Sequence, residues 1–440
     1  MTRSETSAGR SLPRNVGLLR TGHWFLAALA CALLAPAASQ AYDYPLTDPF
    51  VATVVGTPAE LRYETDVRIP LKRKKLDVFP DREPPDIFFY DKKMGYSYAL
   101  QKGPAPLIFC IAGTGGSHIG SGNRKLLGPL YQAGFHVVLL SSPTNTNFVI
   151  SASSTQVPGH ATDDAEDLYR VMEMIMEKIG KKAEVTDFNL TGYSLGAFNA
   201  AFVAKLDAER GSFNFRRVVM LNPPLRLYNS ISLLDRMLNN LPGGEDNFAE
   251  FFNALVEKLG QLYKRSDELQ LGEDALFQVY EIYKPPDEVL GALIGTAFRM
   301  SAANMVFASD VATNFGYIKP SNVTLKKGSY IEDYELVAMR LGFTDYFHTY
   351  FYPFYKAKEP SVSRLELIDR MSLKAIEDFL AGADNIYVQH NANDVILAPG
   401  EIDFFSRVFG ERAIIYPYGG HLGNMDYREN VAHMLEVLKR

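Results

Sequence analysis

Cysteine is scarce in this sequence: 440 residues contain two, Cys31 and Cys110. Cys31 belongs to an N-terminal segment with the marks of a targeting signal. That leaves Cys110 alone, so the fold is not stapled by disulfides. Cys110 sits inside an apolar strand pattern and reads as a small buried hydrophobe. Nucleotide signatures are lacking too. No G-x-G-x-x-G follows the early strands and no Walker sequence occurs, so no cofactor is implied. The eight histidines are scattered without His-x-x-x-His spacing, which points to no metal site. Positive charge forms a single run, Lys72-Arg73-Lys74-Lys75, expected to be a solvated loop. The formal net charge is −6; leaving out residues 1–41, with four arginines and one glutamate, takes it to −9. An acidic chain of this kind is a poor partner for nucleic acid or for anionic membranes. There is no internal repeat and no low-complexity tract.

What is present is a globular composition, 47% hydrophobic and 22% charged, long enough for one large domain with an insertion or for two domains. Residues 1–41 stand apart. Arg3, Arg10, Arg14 and Arg20 make a basic start, Trp24–Leu34 is an apolar run, and small residues follow to Ser39-Gln40-Ala41. This is the order of a secretory signal cleaved after Ala41. The other reading is an uncleaved membrane anchor, for which the apolar run is short. The expectation is an exported protein, periplasmic or secreted, with no stable membrane span once the segment is removed.

From residue 42 the chain reads as β-rich and irregular up to about residue 105. Ile87–Tyr90 and Tyr96–Leu100 look like strands of an opening hairpin. Strand and helix then alternate. Leu107–Ile111, His136–Leu140, Phe188–Leu190 and Arg217–Leu221 are short apolar runs of the kind that parallel strands buried on both faces show. Helical periodicity separates them, for example Leu168, Val171, Met172 and Ile175. The pattern predicts an α/β fold with a mostly parallel sheet flanked by helices. Alternation stops at Asn222-Pro223-Pro224. Residues 225–383 read as helices, one marked by Leu233, Met237, Leu238 and Leu241, another by Phe248, Phe251, Phe252, Leu255 and Leu259. The run Asp345–Tyr355 is densely aromatic. Alternation resumes with Asn385–Gln389, a helix from about Gly400 to Phe409, the strand Ala413–Tyr416 and a last helix from Tyr427 to Lys439.

The stretch with chemistry in it is Gly192-Tyr193-Ser194-Leu195-Gly196, between an apolar strand and a small-residue helix. A serine at such a turn is held in a strained conformation with its hydroxyl above the sheet. Its hydroxyl needs a base, the base needs an orienting group, and the attacked carbonyl needs hydrogen-bond donors. Asp394 follows the resumed strand in Asn391-Ala392-Asn393-Asp394-Val395-Ile396, and His421 follows the last strand in Gly419-Gly420-His421. Parallel strands put their carboxyl ends on one edge, where Ser194, Asp394 and His421 can meet. Asp384 and Glu401 are alternative acids. His433 lies inside the last helix and His348 inside the insert. His118 and His160 read as rim or loop residues.

In order and context these motifs resemble those of the α/β-hydrolases, from about residue 84 to the end of the chain. Gly192–Gly196 resembles the nucleophile elbow, Asn391–Ile396 the acid loop with asparagine where glycine is commoner, and Gly419-Gly420-His421 the histidine loop. Ala112-Gly113-Thr114-Gly115-Gly116 stands in the oxyanion-loop position, with Ala112 where many members carry histidine. The resemblance implies a core of residues 42–224 and 384–440 with a helical cap at 225–383. It implies oxyanion donors on the backbone of Thr114 and Leu195, with Gly113 allowing close approach. It also implies a serine hydrolase acting on a small-molecule or lipid-like ester, which the reading of residues 1–41 makes an exported one. An acyltransferase or a peptidase can use the same triad, and a catalytically silent binding protein is the rival of another class. Serine in place of a carboxylate disfavours a haloalkane dehalogenase. Tyr193, Tyr346, Phe347, Tyr350 and Phe351 are candidate substrate contacts, the other reading of the aromatic run being packing between insert and sheet.

Overall fold

The computed structural model describes residues 42–240, 250, 280 and 284–440. The signal-like segment 1–41 lies outside the described residues, as do Leu241 and the helix marked by Phe248, Phe251, Phe252, Leu255 and Leu259. Residues Tyr44–Arg440 form one compact unit.

An eight-stranded sheet runs through it in the order β1-β2-β4-β3-β5-β6-β7-β8. The strands are β1 Lys72–Leu76, β2 Met94–Ala99, β3 Ala105–Ile111, β4 His136–Leu140, β5 Val185–Tyr193, β6 Arg217–Leu221, β7 Ile386–Asn391 and β8 Ala413–Tyr416. β1 and β2 pair antiparallel, as do β2 and β4, and all other pairs are parallel. The uninterrupted apolar runs of β3 and β4 follow from burial on both faces. Within β3, Leu107, Phe109 and Ile111 join one core layer while Ile108 and Cys110 join the other. Cys110 is fully enclosed, and burial pushes its thiol up, out of the reactive range. The helices Ala161–Ile179 and Leu195–Arg210 cover the first layer; Ser121–Gln132 and Arg428–Lys439 cover the second.

The opening segment differs from its sequence reading. Lys72-Arg73-Lys74-Lys75, expected as a loop, is the exposed edge strand β1, paired with Tyr98 to Gly95. A row of cations on an edge strand keeps it from pairing with another chain. Ile87–Tyr90, expected as a strand, lies in the 3₁₀ helix Asp86–Asp91. Pro84 and Pro85 set that turn, and its last aromatics face solvent, Phe89 and Tyr90 being 50% and 56% exposed. Instead of β-structure, residues 49–55 form a helix, capped by the Asp48 carboxylate accepting from Val51 N–H at 2.8 Å with proline in the first turn.

Between β6 and β7 the regular elements among the described residues are helices. The neck of this insert is closed by backbone: Leu373 N–H donates to Leu225 O at 2.9 Å, Leu227 N–H donates to Met371 O at 3.1 Å, and Arg226 bridges Ser372. Residues after the neck return to the sheet, where Glu377–Gly382 lies against the helix Ile402–Phe409. The insert's spine is the 27-residue helix Asp287–Thr313. It is long and apolar enough to cross a membrane, yet 56% of its most apolar window is buried within the unit, against Pro49–Val55 among others.

Three hydroxyls dock the insert on the loop before the helix Ala161–Ile179 and on that helix's first turn. Tyr346 donates to Pro158 O at 2.9 Å, Tyr355 to Asp163 Oδ2 at 2.9 Å, and Ser309 to Gln156 O at 2.5 Å. The end of the spine helix is organised by Asp310, a buried carboxylate. It accepts from the backbone N–H groups of Gly316, Tyr317, Ile318 and Lys319 at 2.7–3.0 Å. Asp310→Ala strands those four amides, and we expect a loss of about 3 kcal/mol in urea unfolding. A loss under about 1 kcal/mol would show that the turn closes without the carboxylate.

Candidate active site

β5 ends at Tyr193, and Leu195 starts a helix, so Ser194 takes the whole change of direction. Its φ of 54° and ψ of −127° are rare for a residue with a Cβ and cost on the order of 1–3 kcal/mol. The turn is possible because its neighbours lack side chains. A Cβ on Gly192 would stand 2.3 Å from Gly196 O, and one on Gly196 would stand 2.1 Å from Ile111 O of β3. Ser194 N–H donates to Leu221 O of β6 at 2.9 Å, which ties the elbow to the next strand.

Ser194, His421 and Asp394 converge at this edge. His421 Nε2 is 2.9 Å from Ser194 Oγ, and His421 Nδ1 is 3.0 and 3.1 Å from the two Asp394 carboxylate oxygens. Asp394 is buried and also accepts from Asn222 Nδ2 at 2.8 Å and from Ile396 N–H at 3.1 Å. Burial pushes its carboxyl upward, but the facing His421, with His390 and the Asn222 amide, holds it below the ordinary carboxylate range. The alternative acids lie elsewhere. Glu401 accepts from Asn229 Nδ2 and Ala398 N–H, and Asp384 is exposed before the amino end of β7.

The histidine loop is held by residues that carry no sequence signature. His421 N–H donates to Thr53 Oγ1 at 2.8 Å, from the short helix Pro49–Val55. Gly420 N–H donates to Asn393 Oδ1 at 3.0 Å, and Asn391 Nδ2 donates to Gly420 O at 2.7 Å. Asn393 thus has a task that glycine in its place could not perform: its side chain joins the acid loop to the histidine loop. Gly420, with φ of 56°, lies so close to Pro49 O that a Cβ would stand 2.2 Å from it. Beneath the acid, buried His390 donates from Nε2 to Pro223 O at 2.9 Å and accepts Asn391 N–H on Nδ1. Burial lowers its pKa, and its ring stands 3.7 Å from Asp394.

The loop Ala112–Gly116 faces Ser194 from the end of β3. It is fastened to the loop after β4: Gly115 N–H donates to Thr144 Oγ1 at 2.8 Å, and Asn145 Nδ2 donates to Gly115 O at 3.0 Å. Leu195 N–H, the first of its helix, has no intrahelical acceptor. Thr114 and Leu195 both border the cavity that Ser194 enters. Gly113 packs against the Tyr193 ring, where a Cβ would come within 3.0 Å. Tyr193, expected as a substrate contact, is mostly buried, with its ring filling the space under Gly113, Gly116 and Gly122. That burial pushes its phenol up to about 12 despite the amides of Gly113 and Asn123 at its oxygen. The ring props the loop, and Tyr193 also borders the cleft that opens beside Ser194 and His421.

Two cavities meet at Ser194. An enclosed one of about 90 Å³ runs under the insert, and Tyr346, Phe347 and Phe351 line it. A wider cleft of about 420 Å³ opens past His421. Tyr350 belongs to neither. It is 0% exposed, and its hydroxyl is shared with Ser309 and Thr313. The aromatic run therefore splits, because a π-helical turn over Tyr346–Phe351 sends Tyr350 into the insert's own core. His118 and His160 are engaged outside the site. His118 Nδ1 meets Ser97 Oγ at 2.7 Å, with burial and Arg73 lowering its pKa to about 4, and His160 stacks on Tyr355.

The strand order, the elbow and the Ser194–His421–Asp394 arrangement define the α/β-hydrolase fold. No protein-family model and no curated protein sequence matches the chain. Among solved structures it is similar to an acylaminoacyl peptidase from Pyrococcus horikoshii, at 10% identity and a TM-score of 0.42, covering 85% of this chain and 42% of that one. It is also similar to an esterase from Pyrococcus furiosus, at 9% identity and a TM-score of 0.41, covering 84% of this chain and 93% of that one. A third is proline iminopeptidase from Mycobacterium smegmatis, at 12% identity and a TM-score of 0.40, covering 84% and 98%. The chain thus spans less than half the length of the acylaminoacyl peptidase.

Sequence reasoning missed Asn222, Thr53 and His390 as supports. Asn222 had a visible sign, the Asn-Pro-Pro that ends the alternation, but its φ of 47° and its reach to Asp394 appear only in three dimensions. A carboxyl whose folded pKa is depressed adds stability above its unfolded value, about 3.9, and loses it as pH falls through the folded value. Asn222→Ala removes one of the bonds that depress it. Urea unfolding between pH 7 and pH 3 should show Asn222→Ala destabilised at neutral pH, with the gap from wild type narrowing at the acid end. A gap independent of pH would mean that the amide does not act through Asp394.

Proposed function

We propose that this protein is a serine hydrolase that cleaves carboxylic esters, and that residues 1–41 direct its export. One observation carries the catalytic reading: the continuous relay from Ser194 Oγ through both nitrogens of His421 to the buried Asp394 carboxylate. Two bonds at opposite ring nitrogens orient the imidazole so that Nε2 faces the hydroxyl.

In this reading His421 Nε2 takes the Ser194 proton as Oγ attacks the ester carbonyl carbon. The carbonyl π electrons move to oxygen, and the backbone N–H groups of Leu195 and Thr114 receive the oxyanion. Collapse breaks the carbon–oxygen bond to the alcohol, which leaves with the proton from His421. Water then attacks the acyl-enzyme with His421 again as base. The carboxylic acid departs and Oγ regains its proton. Asp394 stays ionised throughout and stabilises the imidazolium.

Ser194→Ala should lose both turnover of p-nitrophenyl esters and labelling by a fluorophosphonate probe, with circular dichroism unchanged. Asp394→Asn should lower kcat by about 10⁴-fold, because the amide favours the wrong imidazole tautomer. Wild-type hydrolysis by folded Ser194→Ala would remove Ser194 as the nucleophile. Failure of the wild-type protein to take up the probe would favour a binding protein. Amino-terminal sequencing of the exported protein should begin at Tyr42.

A further inference from the structure

The two cavities that meet at Ser194 divide its surroundings in a way that decides how an ester must lie. The enclosed cavity is bordered by Leu195 and Thr114 but not by His421. The open cleft is bordered by His421 and Thr114 but not by Leu195. The group that departs must receive its proton from His421 Nε2, so it lies in the cleft. The acyl group, held on Ser194 with its carbonyl oxygen toward Leu195 and Thr114, is left with the enclosed cavity.

That cavity is chemically restricted. Leu227, Ile231, Phe347, Ile368 and Met371 supply apolar wall, and among the described residues no charged side chain reaches it. Away from its mouth at Ser194 and Thr114, its hydroxyls are already committed. Ser230 Oγ donates to Ile396 O at 2.7 Å, and Tyr346 donates to Pro158 O at 2.9 Å. The Tyr228 hydroxyl is bonded to His348 Nε2 at 2.8 Å. Thr144 Oγ1 accepts Gly115 N–H and pairs with Ser142 Oγ. Among the described residues an ammonium entering here would find no carboxylate, and a carboxylate would meet only hydroxyls already engaged in hydrogen bonds. Either would have to shed its water without replacement, which is costly. Resting on the ester-hydrolase reading, we infer that the substrate's acyl group is an uncharged hydrocarbon, aliphatic or aromatic, enclosed between Ser194 and the insert. The alcohol occupies the cleft beside His421. Esters of free amino acids and half-esters of dicarboxylic acids are excluded from the enclosed side by charge.

The test uses the full-length protein and p-nitrophenyl esters matched in shape. One acyl chain ends in tert-butyl, its isostere ends in trimethylammonium, and a third of similar length ends in carboxylate. The neutral ester should exceed both charged ones in kcat/KM by at least about 100-fold. Values within about threefold of one another overturn the inference. The second arm asks which side holds which group. Ile231→Phe and Ile368→Phe should each lower the octanoate-to-acetate ratio of kcat/KM by about tenfold or more, without a comparable change in the ratio between small and bulky alcohols. Ala297→Phe, on the cleft wall, should do the reverse. A reversed pattern in folded variants overturns the assignment, and the isosteric esters decide the charge question without any variant. Ser194→Ala, run beside them, separates the two levels. Ser194-dependent turnover without charge discrimination defeats this inference alone, whereas turnover that does not need Ser194 defeats the hydrolase reading and this inference together.

Discussion

The structure depends on a crossing with no room for side chains. At the end of β5 the helix Leu195–Arg210 passes so close to β3 that only hydrogen fits between Gly196 and Ile111 O. That closeness forces the turn to be completed in one residue, and Ser194 absorbs it at φ 54°. The strain is stable because the surrounding sheet over-determines it: Ser194 N–H is held by β6 and the helix is packed over its whole inner face. The hydroxyl stands above the sheet edge because of this, and the other loops are arranged around the point where it stands.

Those loops are joined to one another by polar side chains. Asn222 links the loop after β6 to the acid, Asn393 links the acid loop to the histidine loop, and Asn391 supports Gly420 from below. Thr53, on the short amino-terminal helix, holds the backbone of His421 itself. An amide or hydroxyl fixes direction as well as distance, which apolar contact does not. The geometry of the candidate site is therefore distributed over four strand ends and a helix far away in sequence.

The insert is held by the same kind of bond. Its neck is closed by backbone pairing at 225–227 and 371–373, and its floor is tied by Tyr346, Tyr355 and Ser309 to residues 156–163. Tyr346 thereby serves twice, donating to the core while its ring lines the enclosed cavity. A roof fastened on both sides encloses space of limited shape, and the Tyr346 hydroxyl spent on fastening it is no longer available to a polar guest.

The sequence by itself determined the order of strands and helices, the elbow and the three residues that now meet, because each rests on a local pattern. Apolar runs of strand length, 3.6-residue periodicity and glycines bracketing a serine are short-range signals. It also marked where the alternation breaks and a helical insert begins. It misplaced the amino-terminal segment, where β1 is four cations in a row and gains strand structure only from pairing with β2. Edge pairing is non-local, and a charged run looks the same in a loop. It could not sort the aromatics of 346–351, since one π-helical turn decides that Tyr350 faces the insert's core while Tyr346, Phe347 and Phe351 face the cavity. Nor could it select Asn222, Asn393 and Thr53 from the other asparagines and threonines. A supporting hydrogen bond between residues 172 or 368 positions apart leaves no spacing to detect, and only the tertiary structure brings its two ends together.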